Sequence, residues 1–203
     1  MPFAGSGQRI GLFGGSFNPP HDGHVHVCEQ ALRRLELDWI WWLVTPGNPL
    51  KDTSNLAPLE ERLALCEAIT PDPRMKITAI EAGLHSRYTA DTLEHIVSRN
   101  PECHFVWIMG ADNLGQFHRW DRWRDIAQLV PIAVIDRPGS AMALHSAPAA
   151  QTLRRYRLDE ADAARLPLLE PPSWTFLHGP RSSLSSTALR AKQAMNISQD
   201  DAE

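Results

Sequence analysis

The sequence predicts an α/β protein built on a mainly parallel sheet with helices on both faces. Two observations lead there. Short apolar runs alternate with segments of helical periodicity along the chain, which is the pattern of β-α-β units. With 203 residues, 43% of them hydrophobic, the chain can fill an ample core and is not a disordered polymer.

In order, residues 10–13 form a short apolar run suited to a buried strand, and 25–35 repeat apolar residues at helical spacing. Residues 39–44 read as a strand, 59–69 as a helix, 76–80 as a strand and 89–98 as a helix. A strand at 105–109, a helix at 123–129 stopped near Pro131, a strand at 132–135 and a last strand at 175–177 follow. Right-handed crossovers would gather the strands' carboxyl ends on one rim, where such sheets bind ligands. Residues 138–173, rich in Ala, Pro and charge, break the rhythm and read as an insertion in one domain spanning 1–203. The insertion is expected to pack on the domain edge, with short helices over 151–156 and 159–166. The tails, 1–8 and 198–203, are expected to be mobile.

Between the first strand and the first helix runs Gly14 Gly15 Ser16 Phe17 Asn18 Pro19 Pro20 His21 Asp22 Gly23 His24. A glycine pair alone would be an ordinary turn, and paired prolines alone would mark a helix start. Together they describe a phosphate site: glycine lets main-chain N–H groups approach an anion, and the helix start adds donors and a favourable dipole. His21 and His24 are three residues apart, so in a first helical turn they share a face and can serve the same anion. His26 is assigned to packing or solvent.

A second run, Leu184 Ser185 Ser186 Thr187 Ala188 Leu189 Arg190, reads as a hydroxyl-rich cap on a helix over 188–195. Arg190 lies about one turn in and can reach the same anion bidentately.

Residues 16–24 resemble the first signature of the nucleotidylyltransferase superfamily, (T/S)xxxxHxGH. The longer GGSFNPPHxGH is similar to that of the bacterial nicotinate-nucleotide adenylyltransferases, and 184–190 resemble the superfamily's second signature, (I/L)SSTxxR. The resemblance implies a Rossmann-like nucleotidylyltransferase fold. It implies transfer of the adenylyl group of ATP, carried with Mg2+, to nicotinate mononucleotide, giving nicotinate adenine dinucleotide and pyrophosphate in NAD biosynthesis.

The same resemblance implies site residues. His21, His24 and Arg190 would be catalytic. Gly14, Gly15, Ser16, Phe17, Asn18, Asp112, Ser185, Ser186 and Thr187 would hold ATP, with Asp112 in a stretch, Gly110 to Leu114, like the family's GxDxL. Lys51, Thr89, Asp91, Trp120 and Arg137 would contact substrate. Thr89 and Asp91 lie in a run like (Y/R)TxDTL, which holds the nicotinate end; Trp120 resembles the aromatic that stacks on its ring; Arg137 begins an RPG turn. A second aromatic beside Trp120 in some relatives is Asp121 here. Arg62 resembles a family arginine but also reads as a solvated helix charge, and stays outside this primary set. Magnesium would keep mostly water ligands, so no dedicated protein metal cage is expected.

The net charge of −4 argues against nucleic-acid and polybasic membrane partners. Cys28, Cys66 and Cys103 are odd in number, widely spaced and free of CxxC spacing, as expected of reduced thiols in a cytoplasmic protein. No signal-like segment or membrane-length apolar run is present. The remaining tryptophans, Trp39, Trp41, Trp42, Trp107, Trp123 and Trp174, are assigned to core or edge packing. Three other readings stand beside the adenylyltransferase: the same chemistry on nicotinamide mononucleotide or phosphopantetheine, a non-catalytic nucleotide sensor, and a redox protein, the last disfavoured because GxGxxG is absent after the first strand.

Overall fold

A computed structural model describes residues 1–47, 55–84, 88–136 and 147–179. Its elements are β1 (Arg9–Gly15), α1 (Asp22–Arg34), β2 (Trp39–Val44), α2 (Leu59–Ile69), β3 (Met75–Thr78), α3 (Thr89–Arg99), β4 (His104–Gly110), α4 (Ala111–Phe117), α5 (Trp123–Leu129), β5 (Ile132–Ile135), α6 (Pro148–Thr152), β6 (Arg157–Leu158) and β7 (Trp174–Leu177). Short 3-10 turns occupy Ile80–Gly83, Arg154–Tyr156 and Glu160–Leu168. The strands form one seven-stranded sheet in the order β3-β2-β1-β4-β5-β7-β6, and every pairing is parallel.

Parallel strands covered on both faces must be apolar throughout, and β2, WIWWLV, shows why this sequence folds so. Its alternate residues feed opposite cores. Trp41 and Leu43 join Leu12, Trp107 and Met109 beneath Leu93 and Ile96 of α3, Leu114 and Phe117 of α4 and Trp123 and Ile126 of α5. Ile40, Trp42 and Val44 join Phe13, Val106 and Ile108 beneath Cys28, Ala31 and Leu32 of α1 and Cys66 of α2. The expected doubly wound α/β fold is the observed one.

The strand order reverses between β1 and β4, so the chains leaving these two strands diverge and open a crevice at the carboxyl rim. The turn carrying His21 and His24 leaves β1, and α4, carrying Asp112, leaves β4. The fold therefore brings these residues to the edge of one crevice.

Several expectations need correction. Gly14 and Gly15 are not a turn: they end β1, in register with Leu43 and Val44. A Cβ on Gly14 would lie 2.5 Å from the Trp107 ring, so there glycine makes room for a neighbouring strand's indole. The third strand stops at Thr78, and Ile80 begins a 3-10 turn instead. α4 and β6 were not expected at all. β6, inside the expected insertion, adds to the sheet edge beside β7. The N-terminal tail is tied down: Gly7 N–H donates to the Glu102 carbonyl at 2.8 Å and Cys103 Sγ to that of Gly5 at 3.1 Å. The six tryptophans assigned to packing pack as expected, all buried except the half-buried Trp39; Trp120 is half-buried. Among the described residues no helix is long and apolar enough to cross a membrane.

Candidate active site

His21 caps α1 with extended backbone (φ −156°, ψ 166°), and its Nδ1 accepts from the N–H of Gly23 at 3.1 Å. His24, three residues into the cap, returns the favour: its Nδ1 accepts from the His21 N–H at 3.2 Å. This is a capping box in which imidazoles stand where Ser and Glu usually serve. The rings lie 3.8 Å apart at 30°. Both Nδ1 atoms act as acceptors, so a neutral ring at either position carries its proton on Nε2. The capping geometry thus directs the proton of a neutral ring to Nε2 in both histidines, and the Nε2 of His21 is buried.

Beneath the pair lies an aromatic floor. Phe17 is 2% exposed, stacks on Trp42 with centroids 4.8 Å apart and meets His24 edge-on at 5.0 Å. Its φ of +46° turns the chain from β1 toward α1. The left-handed residue of this turn is therefore a phenylalanine held by packing, not one of the two glycines. The Phe17 ring is part of the core, so what it can offer ATP is its main chain.

Arg62, which resembled a family arginine but also read as a solvated helix charge, is 1% exposed. Its Nε donates to the Ala57 carbonyl at 2.9 Å, and its Nη1 donates to the carbonyls of Ser16 and Thr45, each at 2.7 Å. Burial pulls its pKa below the usual arginine value. The guanidinium fastens the turn after β1 to the end of β2. Asn18 adds a second fastening: its Nδ2 donates to the Asn55 carbonyl at 2.9 Å and its Oδ1 accepts from the Ala57 N–H at 3.2 Å. The signal for Arg62 was present, because it shares a helix face with Leu59 and Cys66.

The second cluster sits at the start of α3. Thr89 is its first residue, and Asp91 in the first turn pairs with Arg122 at 3.0 Å. Arg122, absent from the expected set, also binds Glu94 and Asp125, whose carboxylates raise its pKa. It stands in the left-handed region (φ +51°) two residues after Trp120. Trp120 meets Phe117 edge-on at 5.4 Å and Trp107 at 6.1 Å. Since the Trp107 ring lies against Gly14, an edge-on pair of indoles links the end of β1 to the loop carrying Trp120. Asp112 is exposed in the first turn of α4.

Glu81 is a further residue missed from sequence. It is 6% exposed and faces the hydroxyls of Thr45 and Thr92, which pull its pKa partway back after burial has raised it. Lys51, Arg137, Ser185, Ser186, Thr187 and Arg190 lie outside the described residues.

A doubly wound sheet whose first crossover turn presents paired imidazoles at the switch point defines a nucleotide-binding α/β protein of the phosphate-handling kind. The chain belongs to the cytidylyltransferase-like family, whose model matches residues 12–192. A Brucella abortus (strain 2308) protein named "Probable nicotinate-nucleotide adenylyltransferase" is 64% identical over 186 residues, covering 92% of this chain and 96% of that one. A Methylorubrum extorquens (strain PA1) protein of the same name is 61% identical over 185 residues, covering 91% and 100%. In fold, the chain is similar to Plasmodium falciparum nicotinic acid mononucleotide adenylyltransferase complexed with NaAD, with a TM-score of 0.68 at 18% identity over 91% of this chain and 83% of that one.

Proposed function

We propose that the chain transfers the adenylyl group of MgATP to nicotinate mononucleotide, releasing pyrophosphate and forming nicotinate adenine dinucleotide. The observation that carries this reading is the histidine capping box at the switch point, in a chain whose 64% identical relative bears that enzyme's name.

The chemistry needs little of the protein beyond position and charge. The 5′-phosphate of the mononucleotide attacks the α-phosphorus of ATP in line, forming one P–O bond while the bond to the bridging oxygen of the pyrophosphate breaks. A phosphate monoester already carries the attacking electron pair, so no protein nucleophile is required. The Nε2–H groups of His21 and His24 would donate to the α-phosphate oxygens as charge builds there, a preorganised arrangement because the caps hold both rings. Arg190 would receive the departing pyrophosphate, with Ser185, Ser186 and Thr187 around its oxygens and Lys51 near the triphosphate. Magnesium enters with ATP as substrate.

The main-chain amides of the segment from Gly14 at the end of β1 to Asn18 and the Asp112 carboxylate are assigned to ATP. The first turn of α3, at Thr89 and Asp91, is assigned to the nicotinate end, with Trp120 as the ring wall and Arg137 as a further contact. Helix-start N–H groups bind a pyridine carboxylate by charge-assisted hydrogen bonds that a neutral carboxamide does not reproduce. The free thiols of Cys28, Cys66 and Cys103 support a cytoplasmic location for this single-domain enzyme.

The test supplies MgATP with nicotinate mononucleotide, nicotinamide mononucleotide or phosphopantetheine in separate reactions and measures pyrophosphate. Release is expected chiefly with the acid mononucleotide. Faster release with either other acceptor reassigns the substrate, and no release with any of them makes the chain a nucleotide sensor.

A further inference from the structure

A non-glycine residue in the left-handed region costs free energy and persists only where its surroundings hold it there. Arg122 is such a residue, at φ +51° between Trp120 and α5. All three of its side-chain nitrogens donate to carboxylates: Nε to Asp125 Oδ2 at 2.8 Å, Nη1 to Asp91 Oδ1 at 3.0 Å and to Glu94 Oε2 at 3.1 Å, and Nη2 to Glu94 Oε1. The grip on Glu94 is bidentate, which fixes orientation as well as charge. These four side chains are each at least 38% exposed, so any one pair adds little to stability.

What the pairs do add is a connection between two elements. Asp91 and Glu94 belong to α3, Asp91 in its first turn. Trp120 is joined to Arg122 through a tight turn, in which the Trp120 N–H donates to the Phe117 carbonyl at 3.0 Å and the Trp123 N–H to the Trp120 carbonyl at 3.2 Å. The guanidinium therefore ties the start of α3 to the turn that carries the indole. Phe117 and Trp107 pack edge-on against that indole from the core, and the tie fastens the same turn to α3 through exposed groups.

We propose that Arg122 is a positioning residue, which sets the separation between the Trp120 ring wall and the α3 start and so the width of the nicotinate subsite. The inference rests on the proposed function, because that reading assigns both elements to the nicotinate end of the mononucleotide.

The test uses the full chain. R122G removes the guanidinium and lets the backbone keep its left-handed turn without strain, so it separates the tie from the turn itself. It is expected to raise both KM and the calorimetric Kd for nicotinate mononucleotide about fivefold or more, because ring wall and helix start no longer meet the substrate together. KM for ATP is expected to stay within about twofold of wild type, a split that general loosening would not give. E94A, which removes the bidentate partner from the exposed face of α3, is expected to show a smaller rise, and R122G with E94A to be no worse than R122G alone, since both changes break one tie.

Wild-type mononucleotide binding in R122G, or in E94A where R122G does not fold, overturns the proposal. So does a matching rise in KM for ATP, and so does a double variant in which the two losses add, which would mean that Arg122 acts without Glu94. Wild-type protein that binds no nicotinate mononucleotide overturns the proposed function itself and this role with it, whereas equal binding by wild type and R122G overturns only the role of Arg122.

Discussion

The main-chain N–H of His21 donates to Nδ1 of His24 across 3.2 Å, while the two rings lie 3.8 Å apart. One short segment thus caps a helix and sets the proton position on both imidazoles. H24A is expected to lower turnover by at least about 100-fold, the scale of losing a preorganised donor to a transition-state oxygen. Its helix cap weakens too, which costs about 1 kcal/mol and a few degrees of melting temperature. Steady-state kinetics beside a thermal melt separates the two effects, and near-wild-type turnover in a folded H24A removes His24 from catalysis.

Arg62 holds three carbonyls from three segments. R62K keeps the charge but has no planar fork to span them, so buried acceptors are left short of donors. It is expected to lose about 3 kcal/mol of unfolding free energy, read from urea denaturation. A loss under about 0.5 kcal/mol, the range of ordinary surface changes, would mean the fastening is not made in solution.

Arg122 joins Asp91 and Glu94 of α3 to the loop bearing Trp120, and all of these charges are exposed. Such pairs weaken in salt. KM for nicotinate mononucleotide is expected to rise between 0.05 and about 1 M salt in wild type and to be higher but far less salt-dependent in R122A. Parallel salt responses in the two proteins would dissociate Arg122 from the subsite. W120A should raise the same KM, and leave that of ATP unchanged, because its ring is assigned to the nicotinate alone.

Much of this was legible in the sequence where the signal was local. β2 and β5 read as strands because both are continuous apolar runs, and α2 and α5 came out at their observed bounds. α4 did not, because ADNLGQF is only seven residues long and contains Gly115. The histidine string drew attention by its composition, yet its glycines were misread, since what crowds Gly14 is an indole from β4, over 90 residues away in sequence. Arg62 was left outside the primary set, and Glu81 was missed, for the same reason. A charged residue reads as solvated until the loops that cover it are in place, and those loops come from residues 16–18 and 45–47. The signals that Arg62 gave were its resemblance to a family arginine and its position on the buried stripe of α2.

Burial raises the Glu81 pKa above its ordinary 4.5, so the folded chain holds that proton more tightly than the unfolded chain. The resulting stabilisation is complete below 4.5 and is lost as pH rises through the folded value. E81Q lacks this dependence. The stability of wild type relative to E81Q is therefore expected to fall with rising pH across that interval and then level off, as measured by urea midpoints over a pH series. A difference that stays constant with pH would mean that Glu81 titrates normally.

Chromatographic quantification of the dinucleotide, beside pyrophosphate, in a reaction of purified protein with MgATP and nicotinate mononucleotide tests the central claim most directly. Nicotinate adenine dinucleotide and pyrophosphate should accumulate in equal molar amounts, and both should nearly vanish with H24A. Pyrophosphate without dinucleotide, or no product from the wild-type chain, would contradict adenylyl transfer to this acceptor.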